Sequence, residues 1–189
     1  MAAVVSAPTT WAIDAAHTSV EFSVRHLMIT TVKGRFAGVK GVVITNDDDP
    51  AKGEVEVVID AATIDTREPQ RDAHLRSADF FDAETFPTLR FKSRRLTDVA
   101  GNRFKLVGDL TIRDVTREVV LDVTAHGRAQ DPWGGQRAGF EATTKIKRSD
   151  FGLTWNQLLE TGGVAVGDEI KIVIDAQVVR QEAARAESA

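Results

Sequence analysis

The chain contains no cysteine, and several familiar catalytic and membrane signatures are also missing. Without cysteine there can be no disulfide, no thiolate nucleophile and no zinc ribbon. The phosphate-binding P-loop, the dinucleotide-binding glycine motif, the nucleophile elbow of hydrolases and the HExxH zinc motif are all absent. No apolar run approaches the ~18 residues that a membrane-spanning helix requires. We therefore predict a protein that is not an enzyme, needs no cofactor and has no membrane span.

The charge and the histidine content argue against two further functions, nucleic-acid binding and metal binding. The formal net charge is −4, which argues against nucleic acid as a partner because phosphate binding needs a basic surface. A metal site built from His17, His26 and His74 is conceivable, since distant strands can meet. However, His26 continues the inward row of a predicted strand, and His74 lies among Arg71 and Asp72, where a structural hydrogen-bond network explains it equally well. We predict no metal.

The length of 189 residues suggests one domain. Residues 1–10 are interpreted as a flexible lead, residues 11–180 as a single domain, and the polar residues 181–189 as a frayed tail. The first residues carry no basic region ahead of an apolar stretch, so they do not match a secretory signal. We expect a cytoplasmic protein.

Most of the chain alternates polar and apolar residues, as half-buried strands do. From Val20 to His26 the alternation is clean, and Gly34, Gly38 and Gly41 punctuate the next strand region, where they indicate bends or close approaches. No strand–helix–strand rhythm appears. The pattern predicts an all-β, antiparallel, eight-stranded barrel with a short helical insertion. Such a barrel can enclose a small ligand, or its core can be filled by its own side chains.

The helical insertion lies in the segment from Glu68 to Phe91. Pro69 sits where a helix could begin, because a first-turn proline loses no helical hydrogen bond. An ionisable cluster and then an aromatic cluster follow it: Arg71, Asp72, His74, Arg76 and Asp79, then Phe80, Phe81 and Phe86. Charge beside apolar surface is typical of the rim of a binding site. A capping helix with a hydrophobic plug explains the same composition.

A second polar and aromatic segment runs from Lys145 to Trp155. Ser149 and Asp150 can cap a short helical turn, which Gly152 would end. This segment is either a second rim element beside a pocket or a plug of the barrel with Trp155 in the core.

Four blocks of the sequence resemble the YceI family of polyisoprenoid-binding, lipocalin-like proteins: Ile13 to Phe36, Ile64 to Pro87, Gly108 to Arg117, and Arg148 to Leu153. The resemblance extends over about residues 11 to 180, and the string from Arg71 to Asp82 is its most specific part. It implies an extended lipocalin-like barrel whose interior holds an isoprenoid or another long-chain amphiphilic lipid. It also implies a homodimer and supplies no catalytic residue.

From this resemblance we expect binding, with transport or storage, of a polyprenyl phosphate or an isoprenoid quinone. The residues expected at the polar head group are His17, Arg25, His26, Asp65, Arg71, Asp72, His74, Arg76, Arg148 and Asp150. Those expected around the apolar tail are Phe22, Phe36, Phe80, Phe81, Phe91, Phe140 and Trp155. Arginine suits a diphosphate because its forked donors match phosphate oxygens. Two alternatives stay open: an enzyme using His74 with Asp72 or Asp79 as general base, and an interaction protein with a filled barrel.

Overall fold

The structure is a computed structural model that describes residues 7–46, 52–160 and 162–182. Most of the predicted lead and tail falls outside these ranges. Within them the chain forms eleven strands and one α-helix: β1 Thr9–Ile13, β2 Ser19–His26, β3 Thr30–Phe36, β4 Val39–Thr45, β5 Glu54–Asp60, β6 Ile64–Asp65, α1 Pro69–Arg76, β7 Thr88–Ala100, β8 Arg103–Ile112, β9 Val115–Gln130, β10 Gln136–Lys147 and β11 Val166–Arg180. No helix of the described ranges is long and apolar enough to cross a membrane.

The eleven strands build a closed antiparallel barrel of eight long strands. β1 and β2 both pair with β11, so together they act as one interrupted strand. β3 and β4 pair with β2 and β1, and β6 and β5 pair with β3 and β4, so these pairs are also single strands with a break. β7 to β11 then follow as an up-and-down meander. The predicted eight-stranded barrel is therefore confirmed.

The three breaks lie side by side in neighbouring strands. They fall at the short 3-10 turn Ala15–His17, at Ala37 and Gly38, and at the 3-10 turn Ala61–Thr63. The hydroxyl of Thr63 accepts hydrogen bonds from the backbone N–H groups of Ala37 and Gly38 at 3.2 and 3.0 Å. A Cβ at Gly38 would crowd that of Asp60 at 2.8 Å, so the close approach requires glycine. The prediction that glycines mark bends or close approaches is confirmed here.

Helix α1 covers one end of the barrel, which we call the helix end. Glu68 caps the helix by accepting from the N–H of Gln70 at 3.0 Å, and Pro69 occupies the first turn. This confirms that a helix begins at Pro69. The helix stops at Ser77, whose N–H bonds the carbonyl of His74.

The opposite end, which we call the Trp11 end, is covered by Trp11. This side chain is 2% exposed and packs with Ala138 and Val178, while its indole N–H donates to the Thr45 hydroxyl at 3.0 Å. The guanidinium of Arg128 lies 5.2 Å from the Trp11 ring centroid. The main core lies between the two ends, where the inward rows of the strands meet.

Candidate functional site

The polar cluster of α1 holds the chain that precedes the helix. Asp72 is buried, and its Oδ1 accepts hydrogen bonds from both the backbone N–H and the hydroxyl of Thr66. Arg71 donates to the Thr66 hydroxyl at 2.7 Å and to its carbonyl at 2.9 Å. Two residues that were predicted to contact a head group are thus engaged in fixing the turn between β6 and α1.

Arg76 and His74 have similar local partners. Arg76 donates to the carbonyls of Ala62 and Ile64 at 2.8 and 3.0 Å, which ties the helix to the 3-10 turn before β6. His74 Nε2 lies 2.8 Å from Asp79 Oδ2. The structural hydrogen-bond network considered for His74 is therefore present.

Arg148 is, with Asp72, one of the two buried residues among the predicted head-group residues, at 8% exposure. It lies in the 3-10 turn Arg148–Phe151, after the end of β10. Its guanidinium donates to four main-chain carbonyls, those of Leu153, Trp155, Val166 and Gly167, at 2.7 to 3.3 Å. Burial lowers the pKa of Arg148. Four of its five N–H donors are thereby occupied by the protein itself.

The turn that contains Arg148 differs from the predicted one in its capping. Its N-cap is Lys147, which makes no side-chain capping bond, so capping by Ser149 and Asp150 is wrong. Ser149 instead bonds Asp168 through its N–H and its hydroxyl. Gly152 ends the turn with φ of 76°, as predicted.

The remaining polar candidates at the helix end are more exposed. Arg25 donates to the carbonyl of Met28 and the hydroxyl of Thr31 across the β2–β3 hairpin. His26 is exposed at the last residue of β2, so its interpretation as a core histidine is wrong: the inward row leaves the barrel before position 26. Asp150 is exposed as well.

Asp65, in the two-residue strand β6, is held from two sides. The hydrogen bond from the backbone N–H of Arg67 is the main cause that lowers the pKa of Asp65. The guanidinium of Arg35, which contacts the same carboxylate at 3.3 Å, lowers it further. Asp65 thus fixes the turn into α1 together with Asp72.

His17 lies apart from the other candidates, in the 3-10 turn between β1 and β2. Its Nδ1 is 2.8 Å from Asp14 Oδ2, which also accepts from Arg137 at 2.6 Å and Gln177 at 2.9 Å. Hydrogen bonds from His17, Arg137 and Gln177 lower the pKa of Asp14 to about 2, against the opposing effect of burial. Arg137 also donates to Asp131 at 2.8 Å. We call the contacts of Asp14 with His17, Arg137 and Gln177 the latch, because they join the turn after β1 to β10 and β11. The latch was not predicted, because Arg137 and Gln177 are far from Asp14 in sequence.

All the predicted tail-pocket residues belong to one hydrophobic cluster. Phe36 and Phe80 are buried, and the others are partly buried against them: Phe22, Phe81, Phe91, Phe140 and Trp155. The two polar and aromatic segments meet at the helix end, where the Trp155 ring lies 4.7 Å from His74 and 5.4 Å from Phe80 between centroids. We call this cover, formed by α1 and residues 77–87 and 148–155, the cap.

Two inward phenylalanines are folded back against the barrel wall. A Cβ at Gly34 would overlap the ring of Phe22, which faces it across β2 and β3, and a Cβ at Gly108 would overlap the ring of Phe91. Each ring therefore occupies the space that a neighbouring side chain would fill. Both phenylalanines keep part of their surface accessible. Gly34 was predicted to mark a bend or a close approach, but only the structure shows that the Phe22 ring approaches it and that Gly108 has the same relation to Phe91.

Other inward apolar side chains also remain partly accessible although they pack on the core. They come from strands all around the barrel and include Val57, Phe104, Leu110, Phe140, Ile172 and Ile174. Outward neighbours such as Lys171 and Asp175 alternate with this row on β11. The barrel wall thus presents apolar surface toward its interior.

The protein is thus a closed antiparallel barrel with an apolar inner wall and a helical cap, and known proteins share this architecture. The model of the YceI-like domain family matches residues 11–178. A UPF0312 protein of Vibrio cholerae is 39% identical over 160 residues, which cover 81% of this chain and 85% of that protein. The chain belongs to the YceI family, as the sequence resemblance predicted.

Solved structures agree with this assignment. BcnA of Burkholderia cenocepacia superposes with a TM-score of 0.74 at 26% identity, over 87% of this chain and 98% of its own. A polyisoprenoid binding domain from Saccharophagus degradans superposes with a TM-score of 0.63 at 15% identity, over 89% of this chain and 97% of its own. At that low identity the second likeness concerns the fold alone.

Proposed function

We propose that this protein binds a long-chain isoprenoid lipid, with the apolar chain inside the barrel, and that it transports or stores this lipid. One observation carries the proposal: the rings of Phe22 and Phe91 lie back over Gly34 and Gly108, which leaves partly accessible apolar surface on the inner wall. Membership of the YceI family and the name of the structurally similar polyisoprenoid binding domain support the same ligand class.

The dimensions of the barrel favour a long ligand. β9 has sixteen residues and β11 fifteen. At about 3.3 Å per residue such strands span roughly 50 Å, and at a tilt of about 40° the barrel is roughly 40 Å tall. An extended prenyl chain suits this shape better than a compact ligand does.

The chain rather than the head group supplies the affinity. Burying a CH₂ group contributes about 0.8 kcal/mol, so a fifteen-carbon tail gives roughly 10 kcal/mol before the costs of association. The cap has few donors to spare, because Arg148 and Arg76 already bind main-chain carbonyls. The exposed Arg25, together with the N–H groups of Arg71 that Thr66 does not use, remains for a phosphate head group.

Native mass spectrometry tests the proposal directly. The purified protein is analysed intact, extracted with organic solvent, and then offered farnesyl diphosphate, geranylgeranyl diphosphate and the matching neutral prenols. We expect a stoichiometric complex whose affinity rises with chain length and differs little between diphosphate and alcohol. A bare polypeptide that takes up none of the four probes would overturn the proposal and favour an interaction protein with a filled barrel.

The alternative of a lipid-modifying enzyme has a concrete candidate in His74 with Asp79, at 2.8 Å. The family and the name of the polyisoprenoid binding domain favour a binding protein instead. Turnover of a bound prenyl ester that disappears in His74→Ala while binding persists would revive the enzyme. The cytoplasmic location and the homodimer stay predictions; light scattering of the purified protein tests the second.

A further inference from the structure

Strand pairing is missing at two places around the helix end of the described chain: between β6 and β7, which α1 and residues 77–87 connect, and between β9 and β10. The ladder between β9 and β10 runs from the pair Gln130–Gln136 to the pair Asp122–Thr143 and ends there. Both strands continue beyond that point. β9 stays paired with β8 as far as Val115, and β10 stays paired with β11 as far as Lys147. The two strands therefore separate toward the helix end while each keeps its other neighbour.

The separation leaves a slit with a cavity of about 450 Å³ between residues 117–120 of β9 and residues 144–147 of β10. The hydroxyl of Thr144 donates to the carbonyl of Val120 at 2.8 Å, so a side chain spans the gap where the ladder would have continued. The inner side of the slit is apolar: it is lined by Val119 and Ile146, with the buried Phe151 beside them.

The mouth of the slit is charged but balanced. Three cations line it, Arg117, Lys145 and Lys147, and three carboxylates, Glu118, Asp150 and Glu169. Lys145 and Glu169 form an ion pair at 2.9 Å, and Glu118 faces two arginines of β7 at 3.5 Å. The charges at the mouth cancel, and behind them lies the apolar surface of Val119 and Ile146.

Both ends of the barrel are covered. The cap closes the helix end with Phe80 and Leu153 buried at 6% and 4% exposure, and its main chain is held by Arg148. The Trp11 end is filled by Trp11 with Arg128 over its ring. A chain that occupies the interior needs another way in, and the slit connects solvent to core residues of the barrel wall.

We propose that the slit between β9 and β10 is a lateral portal through which the apolar chain of the lipid enters and leaves the barrel. This inference rests on the proposed function, since a portal requires an internal ligand. Widening the slit costs no ladder hydrogen bond along residues 144–147, whereas entry between two paired strands would break their ladder, and the unpaired edge between β6 and β7 is covered by the cap.

Closing the slit with a cross-link tests the portal. The chain has no cysteine, so Val120→Cys with Lys145→Cys introduces one reactive pair. Continuing the register from Asp122–Thr143 places these two exposed positions opposite each other across the slit. The matched control is Thr124→Cys with Glu141→Cys, a register pair of the same two strands where the ladder is closed. A bifunctional methanethiosulfonate links each pair, and dithiothreitol releases it.

The measured quantity is the rate of uptake of a fluorescent geranylgeranyl diphosphate, followed by stopped flow. We expect uptake and release to slow at least 10-fold when the slit is linked, to recover on reduction, and to stay unchanged in the linked control. Protein loaded before linking should retain the probe, which separates a closed portal from a damaged interior. Glu118→Cys with Lys147→Cys is the second slit pair if the first fails to fold.

The outcomes separate the two proposals. Equal uptake by the linked slit and the linked control would overturn the portal and leave the lipid-binding function standing. Failure of the unlinked protein to bind the probe at any concentration would overturn the proposed function and the portal with it.

Discussion

The cap and the slit lie near each other at the helix end, but they differ in hydrogen bonding: the polar groups of the cap are bonded to one another, whereas the strand ladder at the slit is interrupted. In the cap, Arg148 bonds four carbonyls, and Asp72 accepts two bonds from Thr66. In the slit, the main chain of β9 and β10 has lost its ladder beyond Asp122 and Thr143. Satisfied polar groups favour a rigid cap, whereas an interrupted ladder favours movement of the wall at the slit. The conspicuous motif of this sequence therefore supplies the hydrogen bonds that hold the cap, and the alternating strands β9 and β10 carry the proposed route of the ligand.

The largest expected effect comes from breaking the cap at Arg148. Arg148→Met removes the donors of four main-chain carbonyls, and an unsatisfied buried acceptor costs about 1–3 kcal/mol. We expect a loss of about 4 kcal/mol in the free energy of unfolding, measured by urea denaturation. Lys147→Met, one residue away and exposed, should change it by less than about 0.5 kcal/mol. Equal midpoints for the two variants would contradict the structural role of Arg148.

A smaller loss is expected at Asp72, which anchors the other half of the cap. Asp72→Ala leaves the N–H and hydroxyl of Thr66 without their acceptor and removes a carboxylate from the first turn of α1, where it favours the helix. We expect about 2 kcal/mol of destabilisation in thermal or urea unfolding. Gln70→Ala on the exposed side of the same helix is the control. Lipid affinity of the folded fraction should stay within about twofold in Asp72→Ala; a much larger drop would place Asp72 at the head group instead.

Unfolding at low pH tests the latch at Asp14, a third region whose polar groups are hydrogen-bonded to one another. Because its pKa is lowered from 3.8 to about 2 in the folded protein, Asp14 stabilises the fold above its unfolded pKa. That contribution is lost as pH falls from about 5 toward 2. Asp14→Asn should therefore flatten the decline of the unfolding free energy over this range, measured by urea denaturation at successive pH values. An equally steep decline in the variant would show that other carboxylates cause it.

The smallest expected effect, and the one that concerns binding, is at the inner wall. Gly34→Ala places a Cβ where the Phe22 ring lies and 2.8 Å from Thr66 Cγ2, so Thr66 must shift slightly and the ring must turn toward the interior, where it would displace the ligand. We expect about a 10-fold loss of prenyl affinity, equivalent to about 1.4 kcal/mol, by fluorescence titration. Gly139→Ala is the matched control, since a Cβ there meets its nearest neighbour, His126, at an ordinary 3.7 Å. Equal affinities would mean that Phe22 does not border the ligand.

The sequence predicted the fold well, but it did not reveal the hydrogen-bond partners of single polar residues. Alternation located the strands because side-chain direction repeats every two residues, and Pro69 located the start of α1 because its ring suits a first turn. The same alternation misled at His26, where the strand continues past the inward row and the side chain is exposed. Arginine and aspartate in the most specific string suggested a head-group site because their usual ligands are charged. In this fold Arg71 and Arg76 also donate to main-chain carbonyls. Every residue has a carbonyl, so the sequence does not show which carbonyls an arginine will reach.

By itself the sequence determined the strand segments, the helical insertion that begins at Pro69 and the apolar inner rows, since these follow from local periodicity and from the conformational preferences of single residues. Tertiary structure alone decided that Arg148 reaches carbonyls as far away as Gly167, that Asp14 joins Arg137 and Gln177, and that the β9–β10 ladder stops at Thr143. Thr144 and Ile146 alternate as regularly as the residues before them. Pairing is a property of two strands and of the barrel that holds them, so no pattern within one strand reveals where the wall opens.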